Sequence, residues 1–155
     1  MRFALSHPAH LFAVGFGAGL VPAAPGTAGT LLAWPIGWLL AGWLSPVPML
    51  VVVALLFMLG VWACQVTGRD LGTADDGAMV CDEIVAFLLI LAIVPREVVW
   101  QGAAFVLFRA FDIAKPPPIR HFERRYSGGF GVMFDDLVAA ALTLLALALA
   151  KRLLF

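Results

Sequence analysis

The chain has 155 residues, of which 63% are hydrophobic and 13% charged, and its mean hydropathy is +0.99; this composition excludes an ordinary soluble domain and points to a membrane protein. Ten basic residues balance ten acidic ones, which excludes a basic nucleic-acid binder and leaves no net field to steer a partner. At about 20 residues per crossing, the length holds roughly four or five spanning helices and no separate soluble part, so residues 1–155 are expected to form a single membrane-embedded domain.

The start, MRFALSHPAHLF, carries one Arg and is broken by Pro8; it matches a cleavable leader poorly and is expected to be retained. Residues 10–30 are apolar but interrupted by Gly15, Gly17, Gly19, Pro22, Pro25, Gly26 and Gly29, which predicts a re-entrant or interfacial segment rather than a continuous crossing. Hydrophobic runs between breakers predict helices over 31–44, 49–66, 79–94, 98–114 and 132–150. Residues 45–48 and 95–97 make short turns, whereas 67–78 and 115–131 read as longer polar loops. The expected fold class is thus an all-α polytopic bundle. Cys64 and Cys81 lack CxxC or CxxH spacing, so neither a zinc site nor a disulfide framework is indicated. His7, His10 and His121 have no spacing of a nucleophile or ligand set and are expected at the surface or interface.

Both long loops fall on one side of such a bundle. That side carries Arg2, Arg69, Arg109, Lys115, Arg120, Arg124 and Arg125, against Arg96, Lys151 and Arg152 on the other, and the positive-inside bias makes it cytoplasmic. The same side holds every acid except Glu97. No Asp, Glu, Lys or Arg occurs from Phe3 to Gly68.

Helical rise converts these positions into depth. Asp82 lies about 18 Å from the far end of its predicted helix, Asp112 about 21 Å and Asp135 about 22 Å, so three helices bring acids to one level. Unpaired carboxylates at that depth are costly, and Asp82, Glu83, Asp112, Asp135 and Asp136 should face inward and share cations or donors. Oxygen ligands without His or Cys favour Mg²⁺ or Ca²⁺, and Mg²⁺ commonly joins one or two carboxylates to a substrate phosphate. The plain alternative, acids favoured by helix N-termini, does not account for Asp112, which sits near a helix C-terminus. Arg109 and Lys115 flank Asp112 at three-residue spacing on one predicted face; they either form a structural ion pair with it or reach phosphate oxygens as well. Arg124 and Arg125 read as positive-inside and anionic-lipid contacts. The segment 25–30, PGTAGT, opens the first predicted helix, either as an anion cradle or as a helix start with glycines for close packing.

Taken together and in order, GFGAGLVPAAPGTAGT, DDGAMVCDE, FRAFDIAKPPPIR and GGFGVMFDD resemble the phosphatidylglycerophosphatase A family of bacterial membrane lipid phosphatases. The resemblance implies Mg²⁺-dependent hydrolysis of phosphatidylglycerophosphate to phosphatidylglycerol and inorganic phosphate, by a multi-pass protein of the bacterial inner membrane with its active site facing the cytoplasm. It carries the family's Gly-Thr segment onto Gly26, Thr27, Gly29 and Thr30, and its acids onto Asp75, Asp82, Glu83, Asp112, Asp135 and Asp136. Its phosphate-binding stretch falls on Arg109, Lys115 and Arg120. The expected roles are metal binding by Asp82, Glu83, Asp135 and Asp136, with Asp75 as a further upstream ligand. Asp112 is expected as a ligand or water-orienting base, and phosphate contacts are expected from Arg109, Lys115, Arg120, Thr27 and Thr30. Direct attack by water and an aspartyl-phosphate intermediate both fit this set. The expected partner is a bilayer phospholipid, with no nucleic acid. A reading from another class is a small ion or proton transporter with a carboxylate relay. It is disfavoured by the charge-free 49–66 helix and by Glu97 being the far side's single acid.

Overall fold

A computed structural model describes residues 2–154. Its elements are α1 (Pro8–Ala13), a 3₁₀ segment (Gly15–Leu20), α2 (Pro25–Trp43), α3 (Pro46–Leu71), α4 (Cys81–Ile93), α5 (Val98–Ala114), α6 (Pro117–Arg125) and α7 (Gly128–Leu154). There is no β-strand among the described residues. Proline stands in the first turn of α1, α2, α3 and α6, where a missing N–H costs nothing and the fixed φ suits a helix start. Gly72 ends α3 in the left-handed conformation, a common stop because glycine has no Cβ to clash there.

The short helix α4 is the axis of the bundle. Val85, Ala86, Phe87, Leu88 and Ile90 are at most 1% exposed, and α2, α3 and α7 all pack against it. Helix α7 also packs on α3, α5 and α6, and α1 lies along α3. The amide of Val80, just before α4, donates to the Ala13 carbonyl at 2.8 Å, tying the N-terminal segment to the start of the central helix. Close approach relies on small residues: a Cβ on Gly60 of α3 would lie 2.5 Å from the Met133 methyl of α7. Trp34, Phe87, Phe105 and Phe108 form an aromatic core with ring centroids 5.9–6.1 Å apart. Nearby, Trp34 and Trp38 of α2 both donate their indole N–H to Oε1 of the buried Gln101 on α5, at 2.8 and 2.6 Å.

Helices α3 and α7 are long and apolar enough to cross a membrane. Helices α2, α4 and α5 have 19, 13 and 17 residues, or about 28, 20 and 26 Å. Large apolar side chains point outward, among them Leu39, Trp43, Leu55, Met58, Val106 and Leu145, far more than a water-facing surface carries.

Several expectations change. Helix α2 begins at Pro25 rather than at residue 31, with PGTAGT, the segment expected to open it, forming its first turns. The expected re-entrant segment resolves into α1, the 3₁₀ segment and the start of α2. The 115–131 region contains α6, masked in the sequence by a proline run that serves as a helix start. His10 is buried, not interfacial: its Nδ1 lies 3.0 Å from Thr67 Oγ1, its Nε2 3.2 Å from Asp70 Oδ2, and its ring stacks on Phe3. These contacts pin α1 to the end of α3. Cys64 and Cys81 are free and buried, with their sulfurs 3.4 Å apart.

Candidate active site

Four helix ends meet at one place. Asp82 and Glu83 occupy the first turn of α4, Asp135 and Asp136 an early turn of α7, Arg109 and Asp112 the last turns of α5, and Gly26 and Thr27 the first turn of α2. Each helix therefore presents its polar residues at one end while its apolar remainder builds the core.

Asp82, Glu83 and Asp136 each offer a carboxylate oxygen, and these three atoms lie within 4.8 Å of one another. Asp82 and Asp136 are 8% and 3% exposed. Asp82 Oδ1, Glu83 Oε2 and Asp136 Oδ2 are buried without any hydrogen-bond partner. Three acids so close and so dry repel one another, and each unmatched oxygen carries its full desolvation cost. A hard divalent cation relieves both problems, and the all-oxygen donor set suits Mg²⁺ or Ca²⁺. The residues present therefore fit such an ion.

Beside this group, Arg109 Nη1 stands 2.7 Å from Asp112 Oδ2 and 3.6 Å from Glu83 Oε1. The first is an ion pair without hydrogen-bond alignment and the second is too long for a hydrogen bond, while Nε is a buried donor without an acceptor. The guanidinium is thus charge-paired but still has a directed N–H group to offer. Gly26 makes the space: a Cβ there would collide with Glu83 Oε1 and lie 2.9 Å from Arg109 Nη2.

Lys115 ends α5 in the left-handed conformation, φ 42°, and its ammonium donates to Asp135 Oδ2 at 2.7 Å and to Glu123 Oε1 of α6 at 2.8 Å. Burial alone would lower its pKa, but the hydrogen bonds to Asp135 and Glu123 outweigh that and raise it, so Lys115 stays cationic at any physiological pH. Asp75, in the loop before α4, has its pKa raised by burial, with the Lys115 charge pulling the other way.

The structure therefore divides the expected residues. Asp82, Glu83 and Asp136 come together at a spacing that fits a metal ion. Asp135 is turned to Lys115 and does not join them, nor does Asp75, although Asp75 lies in the electrostatic reach of Lys115 and Asp112. Thr30 is fully buried and donates its hydroxyl to the Gly26 carbonyl at 2.8 Å, which leaves it no proton for a ligand. Thr27 is half-buried in the first turn of α2. Arg120 is exposed, and its guanidinium donates to the Ala114 carbonyl at 3.3 Å, away from the carboxylates. Glu123 was not anticipated: its tie to Lys115 exists because α6 folds back, and an amphipathic reading of residues 117–125 was the available signal.

A family model described as Phosphatidylglycerophosphatase A matches residues 11–151. The chain belongs to the phosphatidylglycerophosphatase A family. A Phosphatidylglycerophosphatase A of Haemophilus influenzae is 46% identical over 90% of this chain and 86% of its own length, and one of Escherichia coli is 43% identical over 92% and 83%. A relative from Bacteroides thetaiotaomicron, 39% identical over 91% of this chain and 92% of its own length, is named provisionally as a phosphatidylinositol-3-phosphatase. No solved structure matches. As a family member, the chain is an enzyme of the phosphatase class.

Proposed function

We propose that the chain is a multi-pass membrane enzyme that hydrolyses phosphatidylglycerophosphate to phosphatidylglycerol and inorganic phosphate at the cytoplasmic face, with Mg²⁺ held by Asp82, Glu83 and Asp136. The observation that carries this reading is the pairing of unmet groups: three buried carboxylate oxygens without a donor beside the buried Arg109 Nε without an acceptor. The oxygens call for a cation and the Nε for an anion, and a metal-bound phosphate monoester is both. The relatives' names supply the lipid class. In this reading α2, α3, α5 and α7 cross the bilayer around α4, giving the four or five spans that the composition supports.

When bound, Mg²⁺ supplies positive charge to the phosphoryl oxygens and acidifies a water. Arg109 presents its planar fork to the same oxygens, where charge develops most strongly in the transition state. Lys115 adds a point charge and leaves Asp135 or Glu123 as the phosphate arrives. Asp112 holds the guanidinium in place and stands next to Asp136, so it can orient the attacking water. In the hydrolysis, the bond from phosphorus to the glycerol oxygen breaks, the water oxygen bonds to phosphorus, and its proton goes to the departing alkoxide.

The test is phosphate release by the purified full chain from phosphatidylglycerophosphate, phosphatidic acid and phosphatidylinositol 3-phosphate, each with Mg²⁺ and with EDTA. Fastest release from phosphatidylglycerophosphate, lost in EDTA and restored by Mg²⁺, is the expected result. Release indifferent to EDTA, or none from any lipid, overturns the reading.

A further inference from the structure

Helix α6 divides sharply into two sides. Ile119 is 1% exposed and Phe122 half-buried; they face α7, where the Phe122 ring meets Phe134 edge-on at 5.4 Å. Glu123, the helix's single acid, is committed to Lys115. The opposite side carries Arg120, His121, Arg124 and Arg125, all exposed, which with Pro117 line an open hollow of about 470 Å³. None of these three arginines forms an ion pair among the described residues. Three exposed guanidinium groups on nine residues make a local positive patch that an anionic surface would match.

Position identifies that anion. Exposed apolar residues flank the helix on both ends, Ile113 before it and Tyr126 and Phe130 after it, at 71%, 38% and 40% exposure. Such residues beside a basic helix face mark the water–lipid boundary, where a negatively charged leaflet attracts arginine. A polyanion in bulk water would find the arginines but would leave the flanking apolar groups unmatched. We propose that the basic face of α6 is a docking surface for the anionic headgroups of the surrounding bilayer, separate from the site that hydrolyses phosphate. Docking presses α6 onto the leaflet while Glu123, on its inner side, keeps Lys115 at the mouth of the carboxylate group. The proposal rests on the membrane reading above but not on the identity of the substrate.

Hydrogen exchange of residues 117–125 tests it, using the full chain in nanodiscs of phosphatidylcholine alone or of phosphatidylcholine mixed with phosphatidylserine, a lipid that carries no phosphate monoester. Each arginine near an anionic surface contributes roughly fivefold to such an equilibrium, so Arg124→Gln/Arg125→Gln should lose roughly 25-fold of the docked population. The expected result is slower exchange in α6 in the anionic discs, abolished by high salt and by the double variant, with exchange in α7 unchanged. Equal exchange in both discs overturns the proposal, and so does protection by free DNA or heparin but not by the anionic disc. Exchange is read without turnover, so a protein that releases no phosphate can still dock, and an active one can fail to.

Discussion

The acids at the site are not equivalent, and substitution should separate them. Asp136 forms no ion pair of its own among the described residues and lies against two further carboxylates, so its ionised form costs stability until a cation arrives. Asp136→Asn should lower turnover by at least about 100-fold and yet raise the thermal midpoint in EDTA, while the further rise that Mg²⁺ gives the parent protein disappears. Activity near that of the parent would remove Asp136 from the metal set. Lys115 poses a different conflict, because its backbone adopts a conformation that favours glycine while its ammonium bridges two helices. Lys115→Ala and Lys115→Gly should both depress kcat, but the glycine variant should be the more stable by about 1 kcal/mol, since only it is free of left-handed strain. Equal midpoints would show that the strain is relieved elsewhere. This division among the acids could not be read from spacing. Rise per residue brings Asp82, Asp112 and Asp135 to one depth, but which oxygen meets Arg109 or Lys115 depends on helix rotation and on α6, which periodicity alone does not specify.

At the scale of elements, the apolar runs were the readable part. Helix α5 runs over the 98–114 range expected, and α4 differs from 79–94 by no more than two residues. Helices α2, α3 and α7 extend further than their apolar cores because polar and glycine-rich turns at the site end, such as 25–30 and 128–131, remain helical once packed. Helix α6 went unseen because its apolar side comprises only Ile119 and Phe122, too little for a run. Its contribution to the site passes through Glu123, whose exposed ion pair with Lys115 contributes at most about 1 kcal/mol. Glu123→Gln should therefore leave the melting midpoint nearly unchanged. It should raise KM for the lipid about two- to fivefold with kcat within about twofold, because Lys115 keeps Asp135 but loses the contact that sets its approach. A fall in kcat alone would assign Glu123 to chemistry.

Across the whole molecule, charge and apolar surface are segregated so that a buried polar end sits on an apolar scaffold. Helix α2 links the two ends. Its first turn is pressed by Gly26 against Glu83 and Arg109, and further along Trp34 and Trp38 grip the Gln101 oxygen of α5. It therefore meets α5 twice, by the close approach that Gly26 permits at one end and by the two tryptophan hydrogen bonds to Gln101 further along. A shift of Arg109 toward arriving phosphate disturbs the packing at Gly26, and α2, which carries Pro35 between the two places, passes that displacement to the second. Two of the five tryptophans lie there, which gives the protein a built-in optical gauge of events at its opposite end. Titrating the parent protein with Mg²⁺ and inorganic phosphate should change tryptophan emission, and Gln101→Ala, which leaves every site residue in place, should largely silence the change. An undiminished signal in that variant would mean that α2 is not the carrier and that the distant ends of the bundle respond independently.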